Sequence, residues 1–218
     1  MKKSYIYTSI IVLALVVIGV MAAYFINQQN TTTSPMSGMD HSKMGMSSDA
    51  LKTYDKYVKL KGEDYDKEFV ANMIVHHESA MNMAEMALSS AGHQEIKDLA
   101  ANINASQGKE VRDMRAWQSQ WGYPATSGHS MTGMAEAGDS MEGMADMASA
   151  LEGLSGDDFD KKFLALMIEH HQGAIDMAKP GVTNAYHQEI KDLTKAVVSA
   201  QSKEIEQMKQ WQSQWGYN

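Results

Sequence analysis

One stretch of about 60 residues occurs twice in this 218-residue chain. His76 and His170, His93 and His187, and Trp117 and Trp211 are each 94 positions apart. Asp66-Lys67-Glu68-Phe69 aligns with Asp160-Lys161-Lys162-Phe163, and Met73-Ile74-Val75-His76-His77 with Met167-Ile168-Glu169-His170-His171. The string HQEIKDL begins at His93 and again at His187, and WQSQWGY closes both copies. About half of the aligned positions are identical and no gap is needed. Each copy reads as a helical hairpin. Phe69, Met73, His76, Ala80, Met83 and Ala87 recur at steps of three and four, the signature of one helix face. Val70, Ile74, His77, Met81 and Ala84 widen that face. Beyond Gly92 a second stripe runs through Ile96, Leu99, Ile103, Gln107, Glu110, Met114, Trp117 and Trp121, and Gly122-Tyr123-Pro124 stops it. In the second copy Lys179-Pro180-Gly181 must end the first helix early. A lone hairpin cannot bury its apolar face, so the two copies are expected to pack as an all-α four-helix bundle.

The expected organisation is a membrane anchor or signal segment at 1–27, a Met/Ser/Gly-rich linker at 28–50, repeat 1 at 51–123, a Met-rich linker at 124–150 and repeat 2 at 151–218. The second linker is long enough to return along a helix, which permits a ferritin-like arrangement with one long crossover. Lys2 and Lys3 precede a mostly apolar run from Tyr5 to Ile26, about the length that crosses a bilayer as a helix. Basic residues at the front keep the N-terminus inside the cell and place the body outside. An uncleaved anchor is the expectation; the alternative, a secreted protein after signal cleavage, exports the same body.

The chain has no cysteine and 19 methionines. The first number excludes disulfides, thiolate zinc sites, iron–sulfur clusters and cysteine nucleophiles. A formal net charge of −8 argues against nucleic acid as a partner. Methionines cluster in the two Gly/Ser-rich segments: Met36, Met39, His41, Met44 and Met46 in the first, and His129, Met131, Met134, Met141, Met144 and Met147 in the second. Oxidisable apolar side chains are an odd choice for a solvated linker. A thioether is a soft, proton-free ligand that selects Cu(I) and Ag(I), and imidazole accepts Cu(II) as well. Copper is therefore the expected ion, with Cu(I) favoured. A packing role stands beside this for 141–154, which fits a short amphipathic helix lying on the bundle.

Within the bundle, Met73 lies three and four residues before His76 and His77, hence on their face. Folding the hairpin back near residue 90 brings His93 toward Met83. Two levels of candidate ligands follow, Met73/His76/His77 and Met83/His93, with Met167/His170/His171 and Met177/His187 in the second copy. Methionine on a helix stripe is ordinary core filling. What separates this set is its recurrence beside histidine while neighbours such as Asn72/Leu166 and Val75/Glu169 change. Glu110 and Glu204 fall on the inner stripe and need partners there, either as further metal ligands or on Lys67, Lys161 or ring nitrogens. The paired tryptophans read as bundle-end packing.

The string M-I-x-H-H-x-x-A-x-x-M-A at 73–84 and 167–178, the following His-Gln-Glu-Ile, and the Q-x-x-E-I/V-x-x-M-x-x-W helix together resemble the DUF305 family. The resemblance covers nearly the whole chain after about residue 62, and the second copy departs from the pattern after Ala178. It implies a ferritin-like helical bundle, an exported or anchored location and, as in some members, extracytoplasmic copper binding linked to copper resistance. It also implies His76, His77, Met83, His93, His170, His171, Met177 and His187 as ligands. The function expected is sequestration or transfer of copper, with metal ions, the membrane and a copper exporter or chaperone as partners. A metal-dependent oxidoreductase with a buried copper or di-metal site is the alternative from another class, and a structural or interaction bundle is the third. An enzyme needs an open coordination position and turnover, whereas a store needs only uptake.

Overall fold

Cap chemistry repeated between the two copies sets several helix ends in the computed structural model, which describes residues 48–126 and 147–217. The expected anchor, the candidates Met36, Met39, His41, Met44 and Met46, and linker residues 127–146 with His129, Met131, Met134, Met141 and Met144 lie outside the described residues. Among the described residues the bounded helices are, in order, α1 Ser48–Lys59, α2 Glu63–Ser90, α3 Gln94–Trp121, α4 Gly156–Ala178, α5 Gly181–Asn184 and α6 Gln188–Trp215. No helix among the described residues is long and apolar enough to cross a membrane.

Acidic side chains open α2 (Glu63, Asp64, Asp66) and α4 (Asp157, Asp158), where they complement the positive end of the helix dipole. The closing W-G-Y of each repeat is a C-cap. Gly122 and Gly216 adopt φ of 68° and 71°, and the next amide, of Tyr123 or Tyr217, donates to Gln118 O at 2.9 Å or Gln212 O at 2.8 Å. This left-handed turn satisfies carbonyls the helix end would strand, and glycine adopts it without steric penalty.

The copies differ where Pro180 stands opposite Met86. Proline has no N–H to continue the ladder, so α4 ends at Ala178, and the single turn α5 covers the stretch that is still helix in α2. The break strands carbonyls at the end of α4. Tyr65, whose counterpart is Phe159, donates its hydroxyl to Met177 O at 2.8 Å. Gly181 fits against this hydroxyl only because it lacks a Cβ, which would stand 2.3 Å from Tyr65 Oη.

The paired first helices run antiparallel. Tyr65 at the start of α2 meets Met177 at the end of α4, and Ala91 just after α2 bridges Gly156 at the start of α4. The matching bridge joins Gly62 to Ala185. Helix α3 packs along α2 and α6 along α4, while α1 lies on α4. Tyr57 of α1 and Leu151, which are equivalent positions, are both buried, and Met147 packs partly buried beside Leu151's cluster.

The core falls into two apolar halves, and each takes residues from both repeats. One combines Met83, Ala84, Ile96, Leu99 and Ile103 of repeat 1 with Phe159, Phe163, Met167 and Met208 of repeat 2. The other combines Tyr65, Phe69, Met73, Ile74 and Met114 with Ala174, Met177, Ile190 and Val197. Along α2 the first half starts at Ala80 and the second ends at Ile74; along α3 they are parted between Ile103 and Val111. The gap holds His76, His77 and Gln107, and its counterpart His170, His171 and Gln201, all buried. A polar layer thus crosses the middle of the bundle.

Candidate metal centre

Helix periodicity sends His76 and His77 inward at the point where α2 passes α4, and the duplication places His170 and His171 on α4 in the same way. The His76 and His170 rings meet across the repeat boundary with centroids 3.7 Å apart and planes at 44°. His76 and His77, adjacent in sequence, have ring centroids 6.4 Å apart, as do His170 and His171. Gly173 leaves space beside His76: a Cβ there would sit 3.3 Å from Nε2.

Burial, followed by the charges of the neighbouring histidines, holds His76 and His170 well below the ordinary value of 6.5. Both rings are neutral at pH 7, which is the form that ligates a metal. Each ring still has nitrogen without a partner. His76 Nδ1, His77 Nδ1, His171 Nδ1 and both nitrogens of His170 are buried without a hydrogen bond, as are Gln107 Oε1 and Gln201 Oε1. Among the described residues, only Asp176 Oδ2 shares that condition. A buried orphan of this kind costs about 1–3 kcal/mol, so a cluster of them is a feature that folding alone does not favour.

The second nitrogen of the outer pair is accounted for. His77 Nε2 lies 2.7 Å from Glu110 Oε2, and His171 Nε2 lies 2.7 Å from Glu204 Oε2. Of the partners that the sequence allowed these glutamates, the structure places both on ring nitrogens. Met73 and Met167, fully buried, flank the layer from opposite sides, since they belong to different halves of the core. Met83 shares the half containing Met167, and Met177 the half containing Met73, so the thioethers associate across repeats.

His93 and His187 are placed differently. Neither points into the layer. Asp160 of repeat 2 accepts the amides of Gly92 at 3.0 Å and His93 at 2.8 Å, and His93 Nδ1 at 2.7 Å. Asp66 of repeat 1 accepts the amides of Tyr186 at 3.0 Å and His187 at 2.8 Å, and His187 Nδ1 at 2.8 Å. The N-terminus of each repeat's second helix is therefore capped by the other repeat, where its own residue offers no side-chain cap. Trp215 stacks on His93 at 3.8 Å and Trp121 on His187 at 3.7 Å. His93, Asp157 and Asp160 bring ligand-type atoms within 4.8 Å of one another, but Asp160 is already occupied by the cap. The expected Met83/His93 level is split accordingly: Met83 is buried in the apolar core, and His93 is part-exposed at the bundle end.

Asp66, Asp160 and Gly173 are roles that sequence reasoning missed. The aspartates were detectable, because D-K-x-F recurs at the common offset with its first residue unchanged. Gly173 was not, since Ser79 stands at its counterpart.

Chemically, the layer offers imidazoles and uncharged thioethers, with carboxylates behind two of the rings. That set suits soft and borderline cations and is poorly matched to Mg or Ca.

No curated protein matches the chain. Among solved structures, CopM in the Cu(I)-bound form is 36% identical over 69% of this chain and 96% of its own, with a TM-score of 0.57. CopM in the Cu(II)-bound form is 39% identical over 69% and 97%, with a TM-score of 0.59. A DUF305 protein from Streptomyces coelicolor is 28% identical over 70% and 94%, with a TM-score of 0.60. The family model described as a domain of unknown function, DUF305, matches residues 66–212, which takes in both repeats and the polar layer between them. The chain belongs to the DUF305 family.

Proposed function

We propose that this protein binds copper in the histidine layer, Cu(I) first and Cu(II) or Ag(I) by the same donors, and holds or passes it on outside the cytoplasm. The observation that carries the reading is the set of orphaned nitrogens on His76, His77, His170 and His171. A metal ion takes up the lone pair of such a nitrogen, and no single tautomer of His170 pairs both of its nitrogens. The Met73 and Met167 thioethers favour the monovalent ion. The similarity to CopM, solved with Cu(I), Cu(II) and silver, supports the same ion class. In this reading residues 1–27 tether the body to the membrane, and the Met-rich segments capture ions for the bundle.

The test is an anaerobic Cu(I) titration of the full chain in mild detergent against a chromogenic chelator. Retention of at least one tightly held copper per chain is expected. Changing His76, His77, His170 and His171 together to alanine, with helicity checked by circular dichroism, should abolish the bundle site and leave only weaker uptake by the Met-rich segments. A wild-type chain that holds less than one copper sinks the proposal.

A further inference from the structure

Glu110 and Glu204 occupy equivalent places in the two repeats, each 2.7 Å from the Nε2 of a fully buried histidine. Their side chains are 22% and 25% exposed, so each carboxylate stands between solvent and the layer. We propose that Glu110 and Glu204 are positioning residues: they fix His77 and His171 as Nε2–H tautomers, leave the Nδ1 lone pairs free to ligate a metal, and supply the negative charge that a buried cation needs. The inference rests on the copper reading given above.

An ionised carboxylate only accepts hydrogen bonds, so the ring nitrogen facing it must carry the hydrogen. In the neutral ring, the form that takes a metal, the lone pair is then on Nδ1. In both rings that atom is buried and without a partner. Tautomer and orphan agree in the two copies. The neighbours His76 and His170 lack any such carboxylate, and at least one nitrogen of each is equally orphaned. The layer therefore holds two kinds of imidazole: an outer pair whose ligating atom is chosen by glutamate, and an inner pair in which it is not.

The charge has its own consequence. Imidazole and thioether are neutral, so a cation entering this layer would otherwise be uncompensated in a low-dielectric setting. One carboxylate per repeat, a ring's width behind the ligating atom, supplies the balance without occupying a coordination position. Outer partners of this type typically change metal affinity about 10–100-fold when removed. Coulomb attraction scales with the ion's charge, so Cu(II) should lose more than Cu(I).

The experiment has two arms. In metal-free protein, long-range proton–nitrogen NMR of the imidazole rings should find His77 and His171 as Nε2–H, and E110A/E204A should release that preference; Nδ1–H rings in the wild type overturn the proposal. In the second arm, E110Q/E204Q keeps a hydrogen-bond acceptor but removes both charges. It should weaken Cu(I) binding about 10-fold or more, weaken Cu(II) binding further, and so raise the Cu(II)/Cu(I) potential of the bound ion. Equal weakening of both ions, or none, overturns it. Loss of the Nε2–H signal from His77 and His171 on Cu(I) loading would also overturn it, by making those atoms or the carboxylates direct ligands. A wild type that takes up no copper defeats the copper reading, and the metal-free tautomers still report on the glutamates separately.

Discussion

Changing His170 to leucine is expected to make the metal-free protein more stable. The ring is buried, neutral, and has two nitrogens without partners. Each orphan costs about 1–3 kcal/mol, and leucine of similar volume removes both. Imperfect packing in place of a flat ring returns about 1–3 kcal/mol of that gain. The net expectation is a stabilisation of about 1–3 kcal/mol, or about 2–12 °C in Tm for a chain of this size. The effect has a pH signature. Because the folded ring titrates well below 6.5, the unfolded chain takes up a proton that the folded chain refuses. The stability of the wild type is accordingly full above about 6.5 and falls as the pH drops below it, by up to about 1.4 kcal/mol per unit for each such ring. H170L has one such ring fewer, so its advantage should widen toward pH 5. Thermal and urea unfolding with a chelator present, at several pH values, measure both quantities. A variant less stable than wild type by more than about 1 kcal/mol at neutral pH would refute the argument that the layer is strained.

Other expectations concern the supports of the site. Asp160→Ala strands the amides of Gly92 and His93 and removes the carboxylate from His93 Nδ1, and should cost about 2–4 kcal/mol in urea unfolding, with Asp66→Ala similar. Tyr65→Phe removes the bond to Met177 O and should cost about 1 kcal/mol, while Phe163→Tyr in the apolar core should be worse, because its hydroxyl has no stranded carbonyl to cap. Burial lifts the Asp176 carboxyl from 3.8 to about 6, so the folded state keeps a proton that the unfolded state releases. Stability from this group therefore declines as pH rises from about 4 through 6, and Asp176→Asn should raise stability at pH 7 by about 1–3 kcal/mol and flatten that decline in a pH series of unfolding curves.

The helical hairpins, the break at Pro180 and the inward position of the histidine pairs were legible because each depends on local periodicity or on one residue's covalent chemistry. Internal duplication did the work of an alignment: it separated Met73 and Met83, which recur, from Met86, which does not. What stayed hidden was the relation between the copies. Nothing in one hairpin says that His76 will meet His170, since that contact is set by the antiparallel passage of α2 past α4. The expected Met83/His93 level assumed that a hairpin closes on itself. In fact the turn of each repeat is held by an aspartate from the other, which draws His93 and His187 to the bundle ends. Glu110 was recognised as needing a partner, and the choice between lysine and ring nitrogen required coordinates.

The reciprocal aspartate caps bear on why this chain is a duplication at all. Because each half supplies the cap and half the core of the other, one repeat alone could complete the fold only by associating with a twin. Its folding would then depend on concentration, and at high dilution the halves would come apart. Joining both halves in one polypeptide turns that association into an intramolecular event at high effective concentration. Fusion also frees the halves from identity. A homodimer must carry every substitution twice, whereas here Pro180 breaks one helix and Tyr65 repairs the break, while the equivalent positions hold Met86 and Phe159. The near-symmetric histidine layer is thus held by a frame that is at liberty to become asymmetric.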